Sequence, residues 1–163
     1  MSDEIPGRCA PFLTCKNVTI VASCYNEQFT NALVENCRAE LVEVLPRAEV
    51  QVLRVPGAFE IPVTVKAVAT QNDPTPAVII ALGVIIQGST EHASLVGKSV
   101  TQALLNIAVE TGVPVVHEVL LLEDEDQARV RCIEDKLNRG REAARCAANM
   151  AELFITRFSN PQS

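Results

Sequence analysis

Two histidines serve the whole chain of 163 residues. One of them, His92, stands just behind Gly88, Ser89 and Thr90. Imidazole is the side chain whose charge changes near neutral pH, so His92 is a candidate proton carrier. Glycine lets the backbone approach a ligand closely. Serine and threonine at a helix start add hydroxyls and N–H groups suited to a phosphate or carboxylate. A positive helix end lowers an imidazole pKa, which favours the neutral base. The competing reading is a Ser/Thr helix cap followed by a surface histidine. The stretch is neither a P-loop nor a dinucleotide fingerprint.

Other residues could join this chemistry. The segment "VPGAFEIP" carries Ala58, Phe59 and Glu60 behind a Pro-Gly turn. It reads either as a turn with an acid at a helix start, or as a bend that brings N–H groups and Glu60 into a cleft to hold hydroxyls. Tyr25, the one tyrosine, could stack on a planar ring or be half-buried. Arg131 could grip a phosphate in two-pronged fashion or form a surface ion pair. Arg139 and Glu142, three apart, suit a mutual salt bridge. His117 reads as structural. No Cys/His spacing suggests a metal, and no Ser-His-Asp order suggests a triad. The six cysteines form no C-x-x-C pair and read as reduced thiols, with Cys24 an ordinary buried residue.

The elements that must position these groups alternate between strand and helix. Strands are expected at Asn17–Cys24, Glu49–Val55, Pro76–Ile86 and within "VPVVHEVLLL". The third is apolar enough to be buried on both faces. Helices are expected over "NEQFTNALVENCRAELVEVL", with Phe29, Leu33, Cys37, Leu41 and Val44 inward, from about Pro62, and from about His92 to Glu110. In the last of these, Leu95, Ser99, Ala103, Leu104, Ile107 and Ala108 are expected to face inward. A short helix over "DEDQARVRC" and an alanine-rich closing helix complete the chain. This alternation predicts a parallel sheet with helices on both faces, and a ligand beyond the carboxyl ends of the strands. Residues 17–158 read as one domain, 1–16 as a loose arm and 159–163 as a tail.

The composition is that of a packed globular chain, 48% hydrophobic with a net charge of −6. The acidic balance disfavours nucleic acid and anionic membranes. No membrane span or signal peptide is expected, and cysteines read as reduced thiols lead to the expectation of a cytosolic compartment.

Taken together, "YNE", "VPGAFEIP", "ALGVIIQGSTEH" and "QARVR…NRG.EAA…M" resemble the lumazine synthase family. The resemblance implies a flavodoxin-like three-layer α/β/α sandwich on a four-stranded parallel sheet. It also implies homopentamers, in some members joined into icosahedral shells of sixty subunits, with active sites between subunits. The implied reaction joins 5-amino-6-(D-ribitylamino)uracil to 3,4-dihydroxy-2-butanone 4-phosphate, without metal or cofactor. By this resemblance His92 transfers protons, and Gly88, Ser89, Thr90 and Arg131 bind phosphate. Tyr25, Asn26, Ala58, Phe59, Glu60, Ile85, Ile86, His117, Arg139 and Glu142 bind the pyrimidine and its ribityl chain. Riboflavin synthase is an implied partner. The chain departs from the family at strand four, usually Phe-Gly-Val-Leu-Thr and here His117-Glu118-Val119-Leu120-Leu121. Arg139 replaces a lysine, Cys24 stands where arginine is common, and Ala93 where a large aromatic is usual. These departures keep open an alternative, a catalytically weak flavin- or lumazine-binding or shell-forming relative.

Overall fold

The run from Val78 to Val84 has no exposed residue, and the rest of the molecule is arranged around it. The computed structural model describes residues 4–71 and 74–158. Its strands are β1 (Asn17–Ser23), β2 (Glu49–Val55), β3 (Val78–Ile86) and β4 (Val115–Leu122). Its helices are α1 (Glu27–Val44), α2 (Ile61–Ala69), α3 (His92–Thr111), the short α4 (Glu125–Ala128) and α5 (Arg139–Arg157). A 3-10 turn, Ala58–Glu60, leads into α2, and a π-helical turn, Arg129–Ile133, follows α4. The tail expected at 159–163 lies outside the described residues.

The sheet is parallel, in the order β2-β1-β3-β4. A parallel sheet must be covered on both faces, and alternate residues of β3 do this. Ile80 and Leu82 join the core beneath α1 and α5, whereas Ile79 and Ala81 join the core beneath α2 and α3. The fold is the expected three-layer α/β/α sandwich. The α1 stripe of Phe29, Leu33, Cys37, Leu41 and Val44 is buried as its spacing predicts.

The α3 stripe is rotated from expectation. Ala93, Gly97, Val100, Leu104 and Ile107 face inward, while Leu95 and Ser99 are exposed. Gly97 lies over Leu121 of β4, where a Cβ would make ordinary contact at 3.6 Å. Helix α5 approaches α1 through Gly140, Ala143, Ala144, Ala147, Ala148 and Ala151. A Cβ at Gly140 would run into the Leu33 carbonyl.

The N-terminal arm, read as loose, is anchored at several points. Cys15 is buried, and the Phe12 N–H donates to the Val44 carbonyl at 2.9 Å. Arg8 donates to both oxygens of the buried Glu40, at 2.8 and 2.9 Å, and Arg145 of α5 donates to it at 2.8 Å. The Arg8 hydrogen bond, helped by Arg145 against the cost of burial, holds the Glu40 carboxyl down at about 2. Among the described residues no helix is long and apolar enough to cross a membrane.

Candidate active site

The order β2-β1-β3-β4 reverses direction between β1 and β3, and chains leaving these strands diverge and open a crevice. A cavity of about 640 Å³ lies there. Tyr25 and Asn26 come to it from the end of β1, Ala58, Phe59 and Glu60 from the turn after β2, and Ile85 and Ile86 from the end of β3. Gly88, Thr90 and His92 close it at the start of α3. Ten of the residues expected at the site from distant parts of the sequence are thus gathered on one wall system.

Local chemistry explains the shape. Asn26 takes a left-handed conformation, φ 53°, which asparagine tolerates better than most residues. Its side-chain amide donates to the Val84 carbonyl at 2.8 Å, tying together the ends of β1 and β3. The Asn26 carbonyl accepts the N–H groups of Phe29 and Thr30, and the Thr30 hydroxyl donates to the Tyr25 carbonyl. Tyr25 and Phe59 are largely exposed, so each offers a ring face at the crevice.

Beyond Leu82, β3 has no ladder partner in β1, although it stays paired with β4 as far as Ile86. The crevice-side backbone of Gly83–Ile86 is therefore outside the β1 ladder. Backbone groups released this way can read the edge of a flat, polar heterocycle. One oxygen of Glu60 accepts the Gly57 N–H at 2.9 Å, which fixes the carboxylate in place. That approach needs glycine, since a Cβ at Gly57 would lie 3.0 Å from the same oxygen.

The loop before α3 is braced by Gln87, whose amide donates to the carbonyls of Gly88 at 3.3 Å and Thr90 at 3.1 Å. Helix α3 begins with Glu91 at its cap, and no side chain caps it. The Ser/Thr cap is therefore not made. The N–H groups of the first turn keep their capacity for an anion, beside His92. Ser89 is exposed in the loop and is not part of the cavity wall.

The remaining expected residues lie elsewhere. His117, Arg139 and Glu142 line a second concavity of about 440 Å³ on β4 and the start of α5, together with Glu118 and Leu121. Asn138 caps α5 by accepting the Arg141 N–H, and this sets Arg139 in the first turn. The Arg139 guanidinium donates to Glu142, as the sequence spacing suggests, while its Nε is buried without a hydrogen-bond partner. The half-buried His117 ring shares a 2.9 Å hydrogen bond with Thr101, and burial lowers its pKa. Arg131 sits on the π-helical turn and lines neither concavity.

Three polar residues at the two concavities were missed in the sequence reading: Gln87, Glu118 and Glu125, the last at the start of α4. Gln87 could have been flagged by its place between a buried strand and Gly88. Glu118 stood out only as one acid inside an apolar run. Burial first, then the Glu142 charge, pushes its carboxyl up to about 8, against the pull of Arg139. Cys24 corrects another expectation: it lies one residue past β1 and is exposed. All six cysteines are free thiols. Among the described residues, no group of three or more His, Cys, Asp or Glu side chains could hold a metal ion.

Fold and crevice together define a flavodoxin-like α/β protein, with an uncapped helix start, a histidine and two aromatic side chains at the strand switch point. Comparison with known sequences gives the particular family. The 6,7-dimethyl-8-ribityllumazine synthase profile matches residues 16–154. A 6,7-dimethyl-8-ribityllumazine synthase of Streptomyces coelicolor is 39% identical over 152 residues, covering 89% of this chain and 92% of the relative. One of Polaromonas sp. is 38% identical over 139 residues, 85% of this chain and 86% of the relative. One of Pyrococcus furiosus is 37% identical over 140 residues, 84% of each. The chain belongs to the 6,7-dimethyl-8-ribityllumazine synthase family, and is a transferase of riboflavin biosynthesis.

Proposed function

We propose that this chain condenses 5-amino-6-(D-ribitylamino)uracil with 3,4-dihydroxy-2-butanone 4-phosphate, giving 6,7-dimethyl-8-ribityllumazine, phosphate and water. The observation that carries this reading is the switch-point crevice, which joins a base, an uncapped helix start and unladdered strand backbone. The pyrimidine lies between Tyr25 and Phe59, with its polar edge on the Ile85 and Ile86 backbone. Asn26 holds these two walls in register, and Ala58 keeps the floor shallow. Glu60 takes ribityl hydroxyls. The phosphate of the four-carbon substrate rests on Gly88, Ser89, Thr90 and the first turn of α3, with Arg131, which lines neither concavity of its own chain, reaching it from a neighbouring copy.

The pyrimidine amine attacks the ketone carbon and loses water to form the Schiff base. His92 then moves the protons that accompany phosphate elimination and ring closure, in which the ribityl-bearing nitrogen attacks the remaining carbonyl carbon and a second water leaves. Holding both reactants in one crevice supplies much of the remaining acceleration. No cofactor enters this scheme.

In this reading the second concavity completes the crevice of a neighbouring copy, with His117, Arg139 and Glu142 reaching its ribityl side. Exposed Val63 on α2 and Leu95, Leu105 and Val109 on α3 favour such self-association. The assembly is a homopentamer, with closure into an icosahedral shell as the larger form, acting in the cytoplasm and able to hand its product to riboflavin synthase. Residues 17–158 are its single domain. Mixing both substrates with purified protein and following lumazine absorbance tests the chemistry. Absence of product at saturating substrate would retire the reading. Sedimentation measures the assembly.

A further inference from the structure

We propose that Glu118 is a positioning residue for this reaction, setting where the Arg139 guanidinium and the Glu142 carboxylate point within the second concavity. The proposal rests on the reading that this concavity faces substrate.

Glu118, Arg139 and Glu142 meet there beside a fourth ionisable group, His117, whose pKa burial lowers. Glu118 lies on β4, whose outer side carries no further strand among the described residues, and it shares the concavity wall with Arg139 and Glu142. Arg139 is 5% exposed and spends one terminal nitrogen on Glu142. Its buried Nε has no partner. One guanidinium thus faces two carboxyls, and the direct ion pair uses only one of them. The guanidinium retains donor capacity, so its orientation depends on the charge of the second carboxyl.

That charge is set by burial. Glu118 is pushed up to about 8, first by burial and then by Glu142, with Arg139 opposing. The other groups facing Glu118 add no cation: Cys146 is on α5, Cys37 on α1 and Cys132 on the π-helical turn. All three thiols are held high by burial and by Glu118 itself, so they are neutral. Below about pH 8 Glu118 is therefore the neutral member of the trio, and its O–H is a donor beside the Glu142 anion. Above that pH two anions compete for one guanidinium. Arg139 is then drawn from the orientation that presents it to a polyhydroxylated chain.

The test is steady-state kinetics on the assembled enzyme from pH 6.5 to 9.5, with wild type, Glu118→Ala and Glu118→Gln. In wild type the KM for the ribityl substrate is expected to rise severalfold between pH 7 and 9, with kcat little affected. Glu118→Ala, which leaves Arg139 and Glu142 free to re-aim into the space beside them, raises that KM severalfold at pH 7. Glu118→Gln keeps a neutral donor of the same shape. It restores most of the lost affinity and removes the alkaline rise. A wild-type alkaline rise retained in Glu118→Gln would overturn the proposal, as would a wild-type KM in Glu118→Ala. A fall in kcat at constant KM would also overturn it, since that would place Glu118 in the chemical step. If wild type itself makes no lumazine, the functional reading fails, a result distinct from any of these.

Discussion

The two concavities are built on opposite principles. The switch-point crevice draws on the ends of β1, β2 and β3 and the starts of α3 and α4, so five separate elements converge on it. Its polar groups are held by short-range devices: Asn26 on Val84, Gln87 on its own loop, and Glu60 on Gly57. The β4 concavity uses one strand and one helix turn, and its charged groups hold only one another. The first is pre-organised within a single chain. The second has charges with unfinished hydrogen bonding, as expected of a surface that something else must complete. A site divided as proposed can be disturbed on either side, and the two kinds of damage should look different in kinetics.

The largest effect is expected from His92→Ala, which removes the proton carrier from the crevice. We expect kcat to fall by about 10²- to 10⁴-fold, the usual weight of general acid–base catalysis, with substrate binding nearly intact. Unchanged turnover would mean that His92 is not the base. Arg131→Ala should act on one substrate only. The KM for the phosphate-bearing substrate is expected to rise by about one to two orders of magnitude, the weight of a charge-assisted hydrogen bond. A wild-type KM for that substrate would remove Arg131 from the phosphate site.

Gly140→Ala separates the two regions structurally. The new Cβ meets the Leu33 carbonyl, a backbone atom that cannot swing aside, so α5 must shift from α1 and carry Arg139 and Glu142 with it. Overpacking of this kind costs about 1–3 kcal/mol, visible in denaturant titration. The crevice does not draw on α5, so product binding at its aromatic walls should survive better than the contribution of the β4 concavity. Equal loss on both sides would show that the two regions are not independent.

How much of this was legible in the sequence follows the same division. The crevice could be read because each contributing segment ends a strand and carries glycine, proline or hydroxyl residues that mark a turn. The α1 stripe was readable because five large or sulfur-bearing residues repeat at helical spacing. The phase of α3 was not, because its buried face runs through Ala93 and Gly97, to which hydropathy gives little weight, while Leu95 and Leu105 are exposed. The β4 concavity was hidden for a related reason. Periodicity identifies a strand but not what lies on its outer side. The burial of Glu118 depends on α5, and the chain returns to it only after α4 and the π-helical turn.

The smallest expected effect comes from His117→Phe, and it probes the β4 side alone. The imidazole is half-buried, and burial keeps its pKa below the ordinary histidine value near 6.5. The unfolded chain therefore takes up the proton more readily than the folded one. The His117 contribution to stability is complete above pH 6.5 and is lost as the pH falls through the lowered folded value. Phenylalanine cannot titrate, so the variant should lose that acid slope while giving up the hydrogen bond to Thr101, worth about 0.5–1.5 kcal/mol at most. Its larger apolar ring also favours stacking on a flat substrate, and a KM lower by about two- to fivefold is expected for the pyrimidine. Melting temperatures at pH 5 and 7.5, read beside that KM, test both arms. If the acid slope disappears while the KM stays fixed, His117 only braces α3 through Thr101, and the substrate-facing part of the β4 wall shrinks to Glu118, Arg139 and Glu142.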